Sequence, residues 1–465
     1  MQERSEAPNL PAGKTFVRLP IMKTLISACL LTLPLSATVS LPSIFADGMV
    51  IQRDAPLRVW GSASPQEKVT VTFGSDKASV VTNAEGAWLV ELPSQKADGQ
   101  SHQMTISGDN TISLSDVLIG DLWIGSGQSN MEWSLSQSER KDEFIKAANH
   151  PNIRLFHIPK VQKPTPQADV EATWKACLSE NVPNFSAVLY HFGKSIQEKV
   201  DLPLGLINSS WGGSPIEPWT ITSAGSGQMY NGMIAPITNL SIKGVIWYQG
   251  ETNVIQKNGL KYADKMKDLI EGWRSSFRNP SMPFYYVQLA PWGNPRYEDG
   301  QLPAVWEAQV ATLKIPNTGM AVTTDIVHNI DDIHPRNKHD VGDRLARWAL
   351  VKNYGLSGLP YSGPLYQSMK VEGETIRLTF AHSQGLKSRD GKDLTEFQIS
   401  GAGGTFVSAQ AKVDGESVVV RSPEIKNPTH VRFGWHRSAN PNLINAAGLP
   451  ASPFQTNQWT GSTGN

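Results

Sequence analysis

Three textures follow one another along the chain. From about residue 40 to residue 113, apolar and polar residues alternate with period two. Leu57-Arg58-Val59-Trp60-Gly61 and Lys68-Val69-Thr70-Val71-Thr72-Phe73 are examples, and the turn Asn83-Ala84-Glu85-Gly86 leads into Ala87-Trp88-Leu89-Val90-Glu91-Leu92. Short strands punctuated by Gly, Pro and Asn turns predict a small antiparallel sandwich, Ig-like or jelly-roll-like. No titratable cluster marks a reaction site in it, so it reads as scaffold or as a carbohydrate-contacting surface.

Near Asp116 the pattern changes. Continuous apolar runs predict strands over 117–124, 153–157, 204–208, 245–248, 284–289 and 320–324, and amphipathic stretches predict helices over 187–198, 262–273 and 338–351. Alternating β and α elements with strands apolar on both faces predict an α/β fold, a parallel sheet covered on both sides. After about residue 359 the β texture returns, as in Thr375-Ile376-Arg377-Leu378-Thr379-Phe380 and Val431-Arg432-Phe433-Gly434-Trp435, punctuated by Asp390-Gly391 and Asp414-Gly415. The expected domains are 38–115, 116–358 and 359–465, without internal repeats.

Ahead of them, Met22-Lys23 precedes an apolar run from Leu25 to Leu35 that ends in Leu35-Ser36-Ala37. That is a signal-peptide pattern, too short to span a bilayer, with cleavage expected near Ala37 and export to the periplasm or medium. Residues 1–21 read as an upstream extension. Ile26-Ser27-Ala28-Cys29 offers a lipoprotein-type alternative, but the apolar run continues past Cys29. With Cys29 and Cys177 the only cysteines, no disulfide framework can form.

Composition narrows the chemistry. Lys+Arg and Asp+Glu balance at 42 each, which argues against a polyanionic partner, and there is no basic stripe, phosphate loop or zinc-type His/Cys spacing. Neither nucleic acid nor membrane insertion of the mature chain is expected, and no metal or cofactor. Fourteen tryptophans are generous, and although most belong in a core, aromatic faces also hold sugar rings.

The chemistry-bearing stretch is Gly120-Asp121-Leu122-Trp123-Ile124-Gly125-Ser126-Gly127-Gln128-Ser129-Asn130-Met131-Glu132-Trp133, where an apolar strand ends in small and polar residues around a serine. Such a turn either lifts a nucleophilic hydroxyl to the carboxyl edge of a parallel sheet or merely caps a helix. A serine nucleophile needs a base. His334, in Asp331-Asp332-Ile333-His334-Pro335-Arg336-Asn337, lies in a loop at the same sheet edge with carboxylates two and three residues earlier. His328, three residues after Asp325, competes with it. Oxyanion donors are expected from Gly212-Gly213, after the strand at 204–208, and from the side-chain amide of Asn253, after the strand at 245–248.

These blocks resemble the sialate O-acetylesterases of the SGNH hydrolase superfamily, in particular their exported bacterial members. Gly127-Gln128-Ser129-Asn130-Met131 matches the nucleophile block and Ser210-Trp211-Gly212-Gly213-Ser214-Pro215-Ile216-Glu217 the glycine block. Trp247-Tyr248-Gln249-Gly250-Glu251-Thr252-Asn253 matches the asparagine block, and Asp332-Ile333-His334-Pro335-Arg336-Asn337-Lys338 the histidine block. The likeness extends to Leu41-Pro42-Ser43-Ile44-Phe45-Ala46-Asp47-Gly48 and to Tyr230-Asn231-Gly232-Met233, so it covers the chain from about residue 40 onward.

The resemblance implies a flavodoxin-like, three-layer catalytic domain and a metal-independent serine esterase that removes acetyl groups from sugar hydroxyls. Ser129 would be the nucleophile and His334 the base. The Ser129 N–H, a Gly212 or Gly213 N–H and the Asn253 amide would form the oxyanion hole. The superfamily pattern selects Asp331 as the acid, with Asp332 or a backbone carbonyl as competitors. O-acetylated sialic acid is the expected substrate and acetylated xylan the competing one. Gln128, Trp133, Glu251, Trp292 and Arg336 are candidates for substrate contact, with Arg344 a second possible partner for a substrate carboxylate. Two readings of other classes stay open: a glycoside hydrolase pairing Glu251 with Asp331 or Asp332, and a glycan-binding protein without catalysis.

Overall fold

The computed structural model describes residues 38–456, so the expected signal segment and Cys29 lie outside the described residues. A parallel sheet organises the middle of the chain. Its strands are β1 (Thr111–Gly127), β2 (Asn149–His157), β3 (Trp174–Leu178), β4 (Leu204–Ser210), β5 (Gly244–Tyr248), β6 (Phe284–Val287) and β7 (Thr318–Ala321). They lie in the order β7-β6-β5-β1-β4-β2-β3, all parallel except β3, which runs antiparallel to β2 at the edge. Without β2 and β3 the order is the flavodoxin one, second-first-third-fourth-fifth. The first strand is then the switch point, flanked by β4 on one side and β5 on the other, and ligands of such sheets bind beyond its carboxyl end.

Helices cover both faces. The elements that matter are α1 (Ser129–Glu132), α2 (Ala187–Val200), α3 (Tyr262–Ser276), α4 (Gln301–Thr312) and α5 (His339–Lys352). Neighbouring residues of a strand point to opposite faces, and β6 illustrates it. The Tyr285 ring packs on Trp348 of α5, while the Tyr286 hydroxyl donates to the Gln309 carbonyl of α4 at 2.6 Å. Trp247, in register with Tyr286, packs on Trp273 of α3, which places α3 beside α4. On the other face Trp123 packs on Phe192 of α2, which lies against α5. Helix α4 escapes the amphipathic pattern because the polar Gln309 and Thr312 are buried with Leu302, Val305 and Trp306, while the apolar Ala304, Val310 and Ala311 stay partly exposed.

The N-terminal β region is built from short strands with alternating burial, such as Lys68–Phe73 and Ala87–Leu92. It is not set apart from the catalytic sheet. Strand β1 begins in it, antiparallel to Ser101–Ser107, accepts Val50–Gln52 as a parallel neighbour, and then continues as the centre of the α/β sheet. The expected division between residues 115 and 116 thus falls inside one strand. A single apolar core runs from Val39 to Leu350, whereas the C-terminal β region has its own, with Ile376, Leu378, Phe397, Ile399, Val431 and Phe433 between two four-stranded sheets.

Candidate active site

Strand β1 ends at Gly127, whose φ is +136°, and a Cβ there would lie 2.1 Å from the Tyr248 carbonyl oxygen. Only glycine fits that crossing, and the chain turns at once into α1. Gln128 occupies the N-cap position and Ser129 is the first helical residue, so the serine is not the cap. Its hydroxyl instead meets His334 Nε2 at 2.9 Å.

His334 lies in the loop that precedes α5. The indole of Trp133 stacks on its ring, with centroids 4.9 Å apart and planes 21° from parallel. Burial, and then the Lys338 ammonium, push the imidazole below its ordinary pKa, while Asp332 opposes them. The ring is therefore neutral at neutral pH, the form a general base requires.

The acid position corrects the sequence reading. Asp332, not Asp331, stands against the ring: its Oδ1 accepts the His334 backbone N–H at 2.8 Å and lies 3.7 Å from Nδ1. The i to i+2 contact is an Asx turn, which folds Asp332 back onto the imidazole. Asp331 is exposed, and its backbone carbonyl accepts from Trp292 Nε1 at 3.0 Å. The competing histidine is not assembled, since His328 is exposed and 3.9 Å from Glu139, while Asp325 is held by Arg344 at 2.7 Å.

The expected oxyanion donors divide. Gly212 adjoins the nucleophile, for a Cβ on it would lie 3.4 Å from Ser129 Cβ, but its N–H donates to the Glu132 carboxylate, which is also paired with Lys160. The Ser129 and Gly213 N–H groups have no hydrogen-bond partner among the described residues. Asn253 is saturated. Its Oδ1 accepts from Ile216 N (3.0 Å) and Gln249 Nε2 (2.7 Å), and its Nδ2 donates to the Glu217 carboxylate (3.2 Å) and to Asn258 Oδ1 (2.8 Å). With no exposed surface, it braces its loop rather than offering a donor. Gln128 shows the opposite balance. Its Oε1 takes three donors, Gln249 Nε2 at 3.1 Å, Gly250 N at 3.2 Å and Thr252 N at 3.3 Å, whereas its Nε2 has no partner among the described residues and is not sealed from solvent. The backbone donors fix which end of the amide is oxygen.

Of the expected substrate contacts, Glu251 and Trp292 are structural. Glu251 is 3% exposed, with Oε1 accepting from Asn130 Nδ2 at 2.5 Å and its pKa raised by burial, so no open carboxylate pair of the glycosidase kind forms there. Trp292 is buried and props the histidine loop through Asp331. Arg344 is committed to Asp325. Arg336 stays exposed, makes no ion pair among the described residues, and lines two clefts. One, of about 450 Å³, runs past Trp133, and the other, of about 470 Å³, past Asp332 and His334. Trp133 thus spends one face on His334 and borders a cleft with the rest.

Three residues went unassigned by the sequence reading. Asn130 is fully buried beside the nucleophile, Lys338 is fully buried four places after His334, and Glu132 sits on Gly212. Asn130 and Lys338 lie inside motif blocks and Glu132 one place past the nucleophile block, and that position in the chain was the available signal. Among the described residues no group of three or more His, Cys, Asp or Glu could hold a metal ion, and no helix is long and apolar enough to cross a membrane.

Comparison with known proteins gives the family. Residues 119–351 match the family described as carbohydrate esterase, sialic acid-specific acetylesterase. The chain is 31% identical over 415 residues to the sialate O-acetylesterase of Homo sapiens, covering 77% of this chain and 79% of the human one, and 30% identical to that of Mus musculus over 76% and 80%. The structure of a carbohydrate acetylesterase from Xanthomonas citri superposes with a TM-score of 0.87 at 38% identity, over 91% of this chain and all of the other. With a serine–histidine pair at the switch point of a flavodoxin-like sheet, the chain belongs to the family of sialic acid-specific acetylesterases and is a carboxylic ester hydrolase acting on acetylated sugars.

Proposed function

We propose that Ser129 and His334 carry out the deacetylation and that the substrate is an O-acetylated sialic acid. The observation that carries the first part is the 2.9 Å contact between Ser129 Oγ and His334 Nε2. Ser129 Oγ attacks the acetyl carbonyl while Nε2 takes its proton. The tetrahedral intermediate collapses, the C–O bond to the sugar breaks, and the proton passes to the departing sugar oxygen. The acetyl group is left on Ser129. Water, deprotonated by the same nitrogen, then attacks, and acetate leaves as Ser129 regains its proton. Asp332 orients and stabilises the imidazolium. The oxyanion faces the N–H groups of Ser129 and Gly213 and the Nε2 of Gln128, none of which has a partner among the described residues.

Two features support an acidic sugar: the name carried by the relatives in animals and the unpaired Arg336 guanidinium beside His334, suited to a carboxylate. A second reading, in which a neutral acetylated polysaccharide such as xylan is the substrate, is equally compatible with the Xanthomonas citri relative, which is described only as a carbohydrate acetylesterase. Export, with cleavage near Ala37, is proposed from the Met22-to-Ala37 pattern. N-terminal sequencing of the protein recovered from an expressing cell tests it.

Acetate release from O-acetylated sialic acid and from acetylated xylan, measured side by side, tests the substrate. Faster turnover of xylan would discard the sialate reading. A fluorophosphonate probe is expected to label Ser129, and undiminished turnover by Ser129→Ala would remove the proposed mechanism.

A further inference from the structure

The Ser129–His334 contact joins segments 205 positions apart, and beside it lies a polar cluster that the chemistry does not use. Asn130, one place after the nucleophile, is fully buried. Its Nδ2 donates to the carbonyl of Ile333, the residue before His334, at 3.1 Å, and its Oδ1 accepts from Lys338 Nζ at 2.5 Å. One side chain on the nucleophile turn thus grips the histidine segment on both sides of the imidazole. The same Nδ2 donates to Glu251 Oε1, which ties the clamp to the loop after β5.

The choice of lysine calls for explanation. Lys338 has no exposed surface, and a buried ammonium is costly unless it is held. Among the described residues its ammonium makes one hydrogen bond, to Asn130, and its remaining neighbours include the faces of Trp133 and Tyr248, each 5.5 Å from Nζ. Trp133 is the ring stacked on His334. The lysine therefore acts on the imidazole through the loop backbone and through the indole. A fold needing only filled volume would do as well or better with an apolar side chain.

We propose that Asn130 and Lys338 are positioning residues of the deacetylation, a clamp that sets the distance and orientation of His334 relative to Ser129. An error of about 1 Å in such a pair costs on the order of 100-fold in rate. Glu251 belongs to the clamp as the acceptor that orients the Asn130 amide.

The test compares kcat, KM and thermal unfolding of Lys338→Met, Asn130→Ala and Glu251→Gln on an aryl acetate. Lys338→Met and Asn130→Ala are expected to lower kcat by about 10- to 100-fold with KM little changed and the proteins folded. Glu251→Gln, which keeps an oxygen that can accept from the Asn130 amide, is expected to lower kcat less than either of them. A folded Lys338→Met or Asn130→Ala enzyme with near-normal kcat would overturn the proposal, as would failure of both to fold, which would assign the cluster to stability. The inference rests on Ser129 and His334 being the reacting pair. Activity surviving in Ser129→Ala would remove that pair, whereas activity surviving in the clamp variants with Ser129→Ala inactive would remove the clamp alone.

Discussion

Asp332 meets His334 at two points, accepting its backbone N–H at 2.8 Å and standing 3.7 Å from its Nδ1. The first contact shapes the loop, and the second is placed to steady the positive charge that the ring would gain as the proposed base. Asp332→Asn keeps an oxygen for the backbone contact and loses the charge. Its kcat is expected to fall by about 10- to 1000-fold, less than the roughly 10⁴-fold of a triad with a short acid contact. Asp331→Asn is expected to change kcat by less than about threefold, as for an exposed carboxylate away from the imidazole. Parallel kinetics on one acetate ester check the pair, and the reverse order would return the acid role to Asp331.

The pH dependence has a definite sign. The proposed base, His334, would act in its neutral form, and burial with Lys338 lowers its pKa against the pull of Asp332. Activity is therefore expected to fall on acidification with a midpoint below the ordinary imidazole value of about 6.5. In Asp332→Asn the opposing negative charge is gone, and the midpoint should move lower still. A kcat/KM profile of both enzymes measures it.

The amides of Gln128 and Asn253 separate by readout. Gln128→Met should cost on the order of 100-fold in kcat if its free amide meets the oxyanion. Asn253→Ala instead strips partners from Ile216 N, Gln249 and Glu217, so a stability loss of about 1–3 kcal/mol is expected. Kinetics and thermal melts of the two variants distinguish these effects, and a kinetic loss confined to Asn253→Ala would restore it as the donor.

Acid stability should depend on His191. Its ring is buried on α2 between Phe144 and Tyr190, its Nε2 has no partner among the described residues, and burial pushes its pKa down to about 3. The unfolded chain binds this proton from about pH 6.5 downward, so the folded state loses stability as pH falls from there toward 3. His191→Phe is expected to flatten that decline, read as urea midpoints at pH 7 and pH 5.

Much of this was legible in the chain because it rests on local pattern. The apolar runs located β1, β2, β4, β5, β6 and β7, and four loops carried recognisable residue types. The pattern failed where meaning depends on distant partners. Asp331 and Asp332 are adjacent, and only the turn of the backbone decides which faces the ring. Asn253 reads as a donor until Glu217 and Asn258 are seen to occupy it. Helix α4 has apolar residues all round, and β3 is an edge strand whose pairing with β2 no local period announces.

Strand β1 carries a last consequence. Its first half is laced to Ser101–Ser107 and Val50–Gln52, its second half to β4 and β5, and Ser129 stands just past its end. Trimming the N-terminal β region would thus cut into the very beam from which the nucleophile projects. Amide protons of residues 118–127 should exchange with solvent together with those of the N-terminal strands, as one cooperative opening, so that loosening the outer sandwich disarms a reaction centre it never touches.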